Sequence, residues 1–138
     1  MPAKDIYHDD CKNALVRDDW TITHDPLRIQ WGTKDMYIDL GAEQLMAAER
    51  VGRKIAVEVK SFVGPSEIED LKLALGQYVL YRNVLGRTEP DRDLYLAIRR
   101  PVFRELFEEP LGQLLIENER LKLIVFDPHT EAIVRWIE

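Results

Sequence analysis

The feature that most constrains the fold of this chain is a strand, a capped helix and a second strand in direct succession. Residues 55–60 (IAVEVK) place apolar side chains at alternate positions, which predicts a strand. Ser66 then opens an S-x-x-E capping box, and the helix that it begins should extend to about Leu85. Residues 92–98 are again typical of a strand. Because a long helix between two strands favours a parallel crossover, we expect an α/β fold with a mixed β-sheet flanked by helices.

Further elements are predicted on both sides of this unit. Helical spacing indicates a first helix over residues 4–18, and two closing strands are joined by a hairpin turn at 127–130. The whole order predicts an α-β-β-β-α-β core with a C-terminal β-hairpin, in one domain that spans residues 1–138. The other predicted elements are strands at 20–23, 27–30, 36–40, 44–50, 121–126 and 132–137, turns at 31–34 and 51–54, and short helices at 101–108 and 111–118.

The net charge of −6 argues against a nucleic-acid-binding protein, but the charge is unevenly distributed along the chain. Residues 1–49 and residues 105–138 each carry a balance of −5, whereas residues 82–104 carry +3. A phosphate backbone could be bound by this middle part. The alternative is that its arginines are solvated helix and loop residues. The candidates for DNA binding are Arg82, Arg87, Arg99 and Arg100.

Other classes of protein are disfavoured by what the sequence lacks. The single Cys11 excludes an internal disulfide and a Cys-based zinc cluster. The first residues do not form the basic and then apolar pattern of a signal peptide, and no apolar run approaches the roughly 20 residues of a membrane helix. We therefore expect a cytoplasmic protein with no membrane segment.

The charged residues of the central strand are the main candidates for chemistry. Glu58 and Lys60 stand at positions i and i+2, so their side chains point to the same face of the strand. Asp39 on an upstream strand is a second carboxylate that could converge on the same point. Two carboxylates suit a hard divalent cation, Mg²⁺ or Mn²⁺, and the lysine could orient a water for phosphodiester hydrolysis. The alternative is a structural ion pair between Glu58 and Lys60.

Two side chains of the following helix and one of the first helix could join this group. Gln77 and Tyr81 stand at i and i+4, so they share a helix face and could order a metal-bound water or contact a phosphate. The alternative is a surface glutamine and a tyrosine packed on the sheet. His8 could reach the same cleft, or it could be an exposed helix residue.

Asp39, the Glu58-Val59-Lys60 triplet and the Gln77-x-x-x-Tyr81 pair resemble the PD-(D/E)xK nuclease pattern with the Q-x-x-x-Y helix motif of RecB-type nucleases. More closely, nearly the whole chain resembles the XisH family, the fdxN element excision controlling factor proteins. The blocks that carry this resemblance are DIYHDDCKNALVRDDWTITHDPL, YIDLGAEQLMAAE, KIAVEVKSF, LALGQYVLY, EPDRDLYLAI and LKLIVFDPHTEAIVRWI.

This resemblance implies a restriction-endonuclease-like fold and a role in site-specific excision of a DNA element. It makes Asp39 and Glu58 metal ligands, Lys60 the water-orienting base, and Gln77 and Tyr81 supporting residues. It also implies DNA and an XisI-like protein as partners, and a homo-oligomer is compatible with it. Since the family is named as a controlling factor, the resemblance leaves two functions open. The protein either cuts DNA or is an inactive, partner-binding protein that retains the nuclease fold.

Two features depart from the nuclease pattern. His8 stands where related nucleases often place a glutamate that helps to bind metal. In addition, a two-residue hairpin loop at 52–53 would not leave Glu58 opposite Asp39, as a simple nuclease hairpin requires. We nevertheless assign Asp39, because alternation over residues 36–40 places its carboxylate on the polar face. Asp35 and His8 are the reserve metal ligands.

Overall fold

The computed structural model describes residues 4–46 and 51–138, and it confirms a mixed α/β fold. A π-helical turn at Phe103–Phe107 continues directly from the short helix α3. The α-helices are α1 (His8–Arg17), α2 (Glu67–Thr88), α3 (Arg100–Val102) and α4 (Pro110–Glu119). The strands are β1 (Thr21–His24), β2 (Leu27–Trp31), β3 (Lys34–Ile38), β4 (Leu40–Met46), β5 (Val51–Val59), β6 (Arg92–Arg99), β7 (Leu123–Asp127) and β8 (Ala132–Ile137).

A six-stranded sheet in the order β1-β4-β5-β6-β7-β8 forms the centre of the fold. Strands β5, β6 and β7 are parallel, whereas β1, β4 and β8 run antiparallel to their neighbours. Helix α2 forms the predicted crossover from β5 to β6. Strands β2 and β3 form a separate two-stranded sheet. The carboxyl ends of the three parallel strands therefore lie along one edge, which is where open α/β sheets bind ligands.

The two faces of β5 contribute to two different cores. Ile55 and Val57 are fully buried in the core that also contains Leu15 of α1. Ala56 faces the opposite core, which is formed with helix α2. This confirms the predicted alternation along the strand. Glu58 therefore lies on the α2 side of the sheet.

The predicted turn at residues 51–54 is wrong, because β5 runs unbroken from Val51. Strands β4 and β5 pair from Leu40 opposite Val57 to Met46 opposite Val51. Arg53 is held within the strand by hydrogen bonds from its Nη2 to neighbouring side chains, Tyr95 Oη (3.2 Å) and Glu138 Oε1 (3.0 Å). The predicted strand at 44–50 corresponds to the end of β4, and its residues 47–50 lie outside the described residues.

Several other boundaries differ from the prediction. Helix α1 begins at His8 rather than at residue 4, and the predicted strand at 36–40 divides between β3 and β4 at Asp39. The predicted helix at 101–108 consists largely of the π-helical turn. The described ranges contain no helix both long enough and apolar enough to cross a membrane.

Candidate functional site

A cavity of about 190 Å³ lies at the carboxyl end of β5. The five residues predicted to be catalytic all line it, although they come from three different parts of the chain. Asp39 lies between β3 and β4, and Glu58 and Lys60 lie at the end of β5. Gln77 and Tyr81 come from helix α2, which is on the same side of the sheet as Glu58. The lining residues are Lys4, Asp5, Tyr37, Asp39, Glu58, Val59, Lys60, Gln77 and Tyr81.

Asp39 and Glu58 are joined by two hydrogen bonds in which each side chain binds the other segment's backbone. The Asp39 backbone N–H donates to Glu58 Oε1 (3.1 Å), and the Val59 N–H donates to Asp39 Oδ2 (2.7 Å). The register of β4 and β5, extended by one residue, places the two residues opposite each other. The predicted hairpin loop at 52–53, which would not have left Glu58 opposite Asp39, is therefore wrong, and the assignment of Asp39 does not conflict with the strand pairing.

The two carboxyl groups are mutually unfavourable as anions. Burial, followed by the charge of Asp39, raises the pKa of Glu58 to about 9, and Glu58 is only 8% exposed. Burial also raises the pKa of Asp39, although the hydrogen bond from Val59 opposes the rise. Two buried carboxyl groups in contact require a proton or a cation between them to remain buried together.

Lys60 and Gln77 bring further polar groups to the same cavity. Lys60 is half-buried, and its positive charge acts on Glu58 in the direction that lowers the pKa of the glutamate, against the larger effect of burial. In the part of the chain that the structure describes, no carboxylate lies within ion-pair distance of the Lys60 ammonium, so the predicted alternative of a Glu58–Lys60 ion pair is not formed. Gln77 Oε1 is buried and has no hydrogen-bond partner among the described residues.

Tyr81 closes the cavity from helix α2. Its side chain is 8% exposed. Burial and the neighbouring carboxyl groups of Glu58 and Asp39 raise the pKa of Tyr81 to about 12. The phenol therefore keeps its proton at neutral pH and can serve as a hydrogen-bond donor.

These residues fit a hard divalent cation of the Mg²⁺ type. No three His, Cys, Asp or Glu side chains within residues 4–46 and 51–138 form a ready cation cage. However, Mg²⁺ is usually bound by only one or two carboxylates and retains several waters. Asp39 and Glu58 supply that pair, and the unpartnered Gln77 Oε1 is a further oxygen acceptor in the cavity.

The reserve ligands lie elsewhere. His8 is buried, and its Nε2 is 2.7 Å from Asp25 Oδ1, so one ring nitrogen is already in use. Asp35 is exposed on the β2–β3 sheet, where its Oδ1 accepts a hydrogen bond from Arg28 (3.0 Å). Neither residue lines the cavity.

The sequence and the fold are both similar to those of known proteins. Residues 1–134 match the sequence model of the XisH protein family. The chain belongs to the XisH family. No curated protein matches its sequence.

Two crystal structures are similar to this XisH-family chain. One is of an XisH family protein from Nostoc punctiforme PCC 73102, with 37% sequence identity and a TM-score of 0.88 over 97% of this chain and 100% of that one. The other is of a fdxN element excision controlling factor protein from Anabaena variabilis, with 39% identity and a TM-score of 0.87 over 98% of this chain and 100% of that one.

The four arginines predicted to bind DNA do not form one surface in this member of the XisH family. Arg82 donates to the backbone carbonyl of Glu119, and its guanidinium lies 5.4 Å from the ring centre of Tyr78. Arg87 is exposed in the last turn of α2. The other two, Arg99 and Arg100, follow one another at the carboxyl end of β6, on the same edge of the sheet as Lys60.

Sequence reasoning missed three residues that line the cavity of this XisH-family chain: Lys4, Asp5 and Tyr37. Asp5 stands three residues before His8, the residue considered as a further metal ligand. Its Oδ1 accepts the Tyr7 N–H (2.9 Å), and its Oδ2 accepts the Ser61 N–H (3.0 Å). The available signal was its place just before the first helix, where acidic residues commonly accept free backbone N–H groups.

Proposed function

We propose that this protein is a controlling factor for site-specific excision of a DNA element, with a nuclease-type site for phosphodiester hydrolysis at Asp39, Glu58 and Lys60. The observation that carries this proposal is the meeting of five predicted catalytic residues in one cavity at the carboxyl end of β5. The name of the similar Anabaena variabilis protein, an excision controlling factor, supports the biological role. The fold is then of the restriction-endonuclease type, with the core order α1-β1-β4-β5-α2-β6.

Each residue has a distinct role in this proposal. Asp39 and Glu58 would hold Mg²⁺ or Mn²⁺, which supplies charge neutralisation at the reacting phosphate. Lys60 would orient the attacking water from the same face of β5. Gln77 Oε1 would accept a hydrogen bond from that water, and the Tyr81 hydroxyl would donate to a phosphate oxygen.

A nicking assay on supercoiled plasmid with Mg²⁺ or Mn²⁺ tests the catalytic proposal. We expect Asp39→Asn and Glu58→Gln to lower the nicking rate by at least about 100-fold, because a bound metal contributes several kcal/mol to such a reaction. Asp35→Asn is the matched control, since it removes the exposed reserve carboxylate, and it should retain the wild-type rate. Equal rates in Asp35→Asn and Asp39→Asn would contradict the assignment.

Metal binding is tested separately from cleavage. Mn²⁺ at 100 times its dissociation constant should raise the free energy of unfolding by about 2.7 kcal/mol in the wild type. Asp39→Asn should lose this stabilisation, whereas Asp35→Asn should keep it. Thermal or urea unfolding with and without Mn²⁺ measures both. A wild type that gains nothing from Mn²⁺ would contradict the metal site.

A second candidate is an inactive regulatory protein that retains the nuclease fold and binds an XisI-like protein. One observation favours it. Both carboxylate oxygens of Asp5 accept backbone hydrogen bonds, and His8 is paired with Asp25, so no third carboxylate or histidine of the described residues joins Asp39 and Glu58. A stoichiometric complex that is unaffected by Lys60→Ala, from a protein that neither nicks DNA nor binds Mn²⁺, would establish this alternative.

A further inference from the structure

A second cleft, which we call the arginine cleft, lies at the carboxyl ends of β6 and β7. Its volume is about 370 Å³. Arg99 is the last residue of β6, and Asp127 is the last residue of β7. The charged, polar and aromatic residues of its wall are Tyr7, Asp10, Arg99, Arg100, Asp127 and His129. The cleft therefore lies on the same edge of the sheet as the catalytic cavity.

Arg99 is fixed in position, yet it keeps an unused donor. Its Nη2 donates to the Ser61 carbonyl (2.8 Å), and its Cζ lies 4.6 Å from the centre of the Tyr7 ring. Its Nε–H is fully buried and out of a ligand's reach, but its Nη1 also makes no hydrogen bond in the described residues and is the donor left for a ligand. A guanidinium that is already held in place loses little side-chain entropy when it binds a ligand.

Arg100 has no internal partner that would explain its burial. Its side chain is half-buried, and its Nε is fully buried without a hydrogen bond. Within the described ranges its terminal nitrogens make no hydrogen bond or close ion pair, although the charge of Arg100, after the hydrogen bonds from His129 and Thr130, helps to lower the pKa of the Asp127 carboxyl. The Nε has no exposed surface, so a ligand would be bound by the terminal nitrogens of Arg100, which no hydrogen bond of the described residues occupies.

The unsatisfied groups in the arginine cleft are donors, so the missing ligand is an acceptor. The Asp127 carboxylate already accepts the His129 backbone N–H (2.9 Å), and Asp10 is the other acidic residue of the wall. Among common biological acceptors, phosphate and carboxylate oxygens best match the paired N–H groups of arginine. The two guanidinium groups and the two carboxylates give this wall no net charge, so a singly charged phosphodiester would be held by the N–H groups of the arginines and not by an excess of positive charge.

The arginine cleft and the catalytic cavity share no lining residue, but hydrogen bonds through Asp5 and Ser61 connect them. Ser61, next to Lys60, accepts at its carbonyl from Arg99 and donates its N–H to Asp5, which lines the catalytic cavity. Tyr7 lines the arginine cleft and donates its N–H to Asp5. These bonds place the two sites next to each other at one edge of the sheet, and we expect one nucleic-acid strand to contact both.

We propose that the arginine cleft binds a non-reacting backbone phosphate of the DNA strand whose reacting phosphate lies at Glu58 and Lys60. This deepens the proposed function and rests on it for the identity of the DNA strand. Arg100 supplies the principal contact, and Arg99 supplies a preorganised second donor.

Binding of a fluorescent DNA duplex, measured by anisotropy in EDTA, tests the proposal without any cleavage. We expect Arg100→Gln to weaken binding about tenfold at low salt and to reduce the slope of log K against log salt by about one unit. Arg104→Gln removes an exposed arginine from the same segment and should change binding much less. The thermal unfolding temperature of Arg100→Gln should stay close to that of the wild type, because the side chain makes no hydrogen bond that the substitution would remove.

Equal weakening in Arg100→Gln and Arg104→Gln, or a wild type that binds no duplex, would overturn the proposal. Inorganic phosphate distinguishes a small-anion site from a backbone site. If phosphate stabilises the wild type but Arg100→Gln leaves duplex binding unchanged, the cleft binds a free anion and not DNA. A wild type that never nicks DNA, but whose duplex binding depends on Arg100, would overturn only the nuclease proposal.

Discussion

The two ends of the parallel pairing between β5 and β6 hold buried charges in opposite ways. Near the amino end, the buried guanidinium of Arg92 donates to the Ile55 carbonyl (2.9 Å) and to Glu89 Oε1 (3.2 Å). At the carboxyl end, the buried Glu58 lies against a second acidic side chain, Asp39. The first end is complete in its hydrogen bonds and charges, whereas the second needs a proton or cation. This difference separates a charge that stabilises the fold from one that is available for function.

The largest effect that would test this comparison is the loss of Arg92. We expect Arg92→Met to lower the free energy of unfolding by about 2–3 kcal/mol, because it leaves the buried Ile55 carbonyl without its donor and removes the hydrogen bond to the partly exposed Glu89. Arg87→Met, at an exposed position of α2, should change it by less than about 0.5 kcal/mol. Urea unfolding measures both variants.

If Arg92→Met instead proved as stable as the wild type, the stability of the fold would not depend on the buried charge of Arg92. Glu58→Gln should show the opposite behaviour. Its amide oxygen can still accept the Asp39 N–H, and it removes one member of an unfavourable pair of carboxyl groups. We therefore expect Glu58→Gln to be at least as stable as the wild type in metal-free buffer at neutral pH.

The pH dependence of stability should show the same contrast. Glu58 keeps its proton to about pH 9 in the folded chain but releases it near 4.5 in the unfolded chain. Between these values the folded chain binds more protons, so its free energy of unfolding falls as pH rises, by up to about 1.4 kcal/mol per pH unit. The pKa values of Asp25 and Glu138 are lowered, and their effect is confined to more acidic solutions.

Urea unfolding in EDTA at pH 5, 6, 7 and 8 measures this slope. Glu58→Gln should flatten it, and Glu69→Gln, at an exposed position of α2, should leave it unchanged. Identical slopes in the wild type and in Glu58→Gln would show that burial of this carboxyl group does not control its protonation.

The central part of the fold could be predicted because local patterns and tertiary packing agree there. The alternation over residues 55–60 and the capping box at Ser66 each correspond to an observed element, and Ser66 Oγ accepts the Glu69 N–H (3.2 Å). The turn at 51–54 was wrong because Gly52 and Arg53 are typical of turns by composition. The pairing of Arg53 with Gln44 of β4 and its side-chain bonds to Tyr95 and Glu138 keep it in the strand, and these distant residues are not part of a local pattern.

The site was predictable for side chains that point into the cavity and not for those that shape its wall. Asp39, Glu58 and Lys60 were found because charged residues on apolar strands are costly and therefore informative. Asp5 was missed because it acts on backbone N–H groups, which no side-chain pattern reveals. Likewise, the positive charge of an arginine in the sequence does not show whether its N–H groups already donate to a backbone carbonyl of the same chain.

Arg82 gives the smallest effect and the sharpest test of that last point. It was a DNA-binding candidate from the local charge alone, but its guanidinium is bonded to the carbonyl of Glu119 at the end of α4. We expect Arg82→Gln to lower the free energy of unfolding by about 1 kcal/mol, the usual contribution of such a bond, and to leave the affinity for a DNA duplex within about twofold of the wild type. Urea unfolding and anisotropy on the same sample measure the two effects. A variant that kept full stability but lost DNA affinity would instead show that the DNA-binding surface extends to the amino ends of the parallel strands. The comparison of the two ends assigns only structural charges to that region.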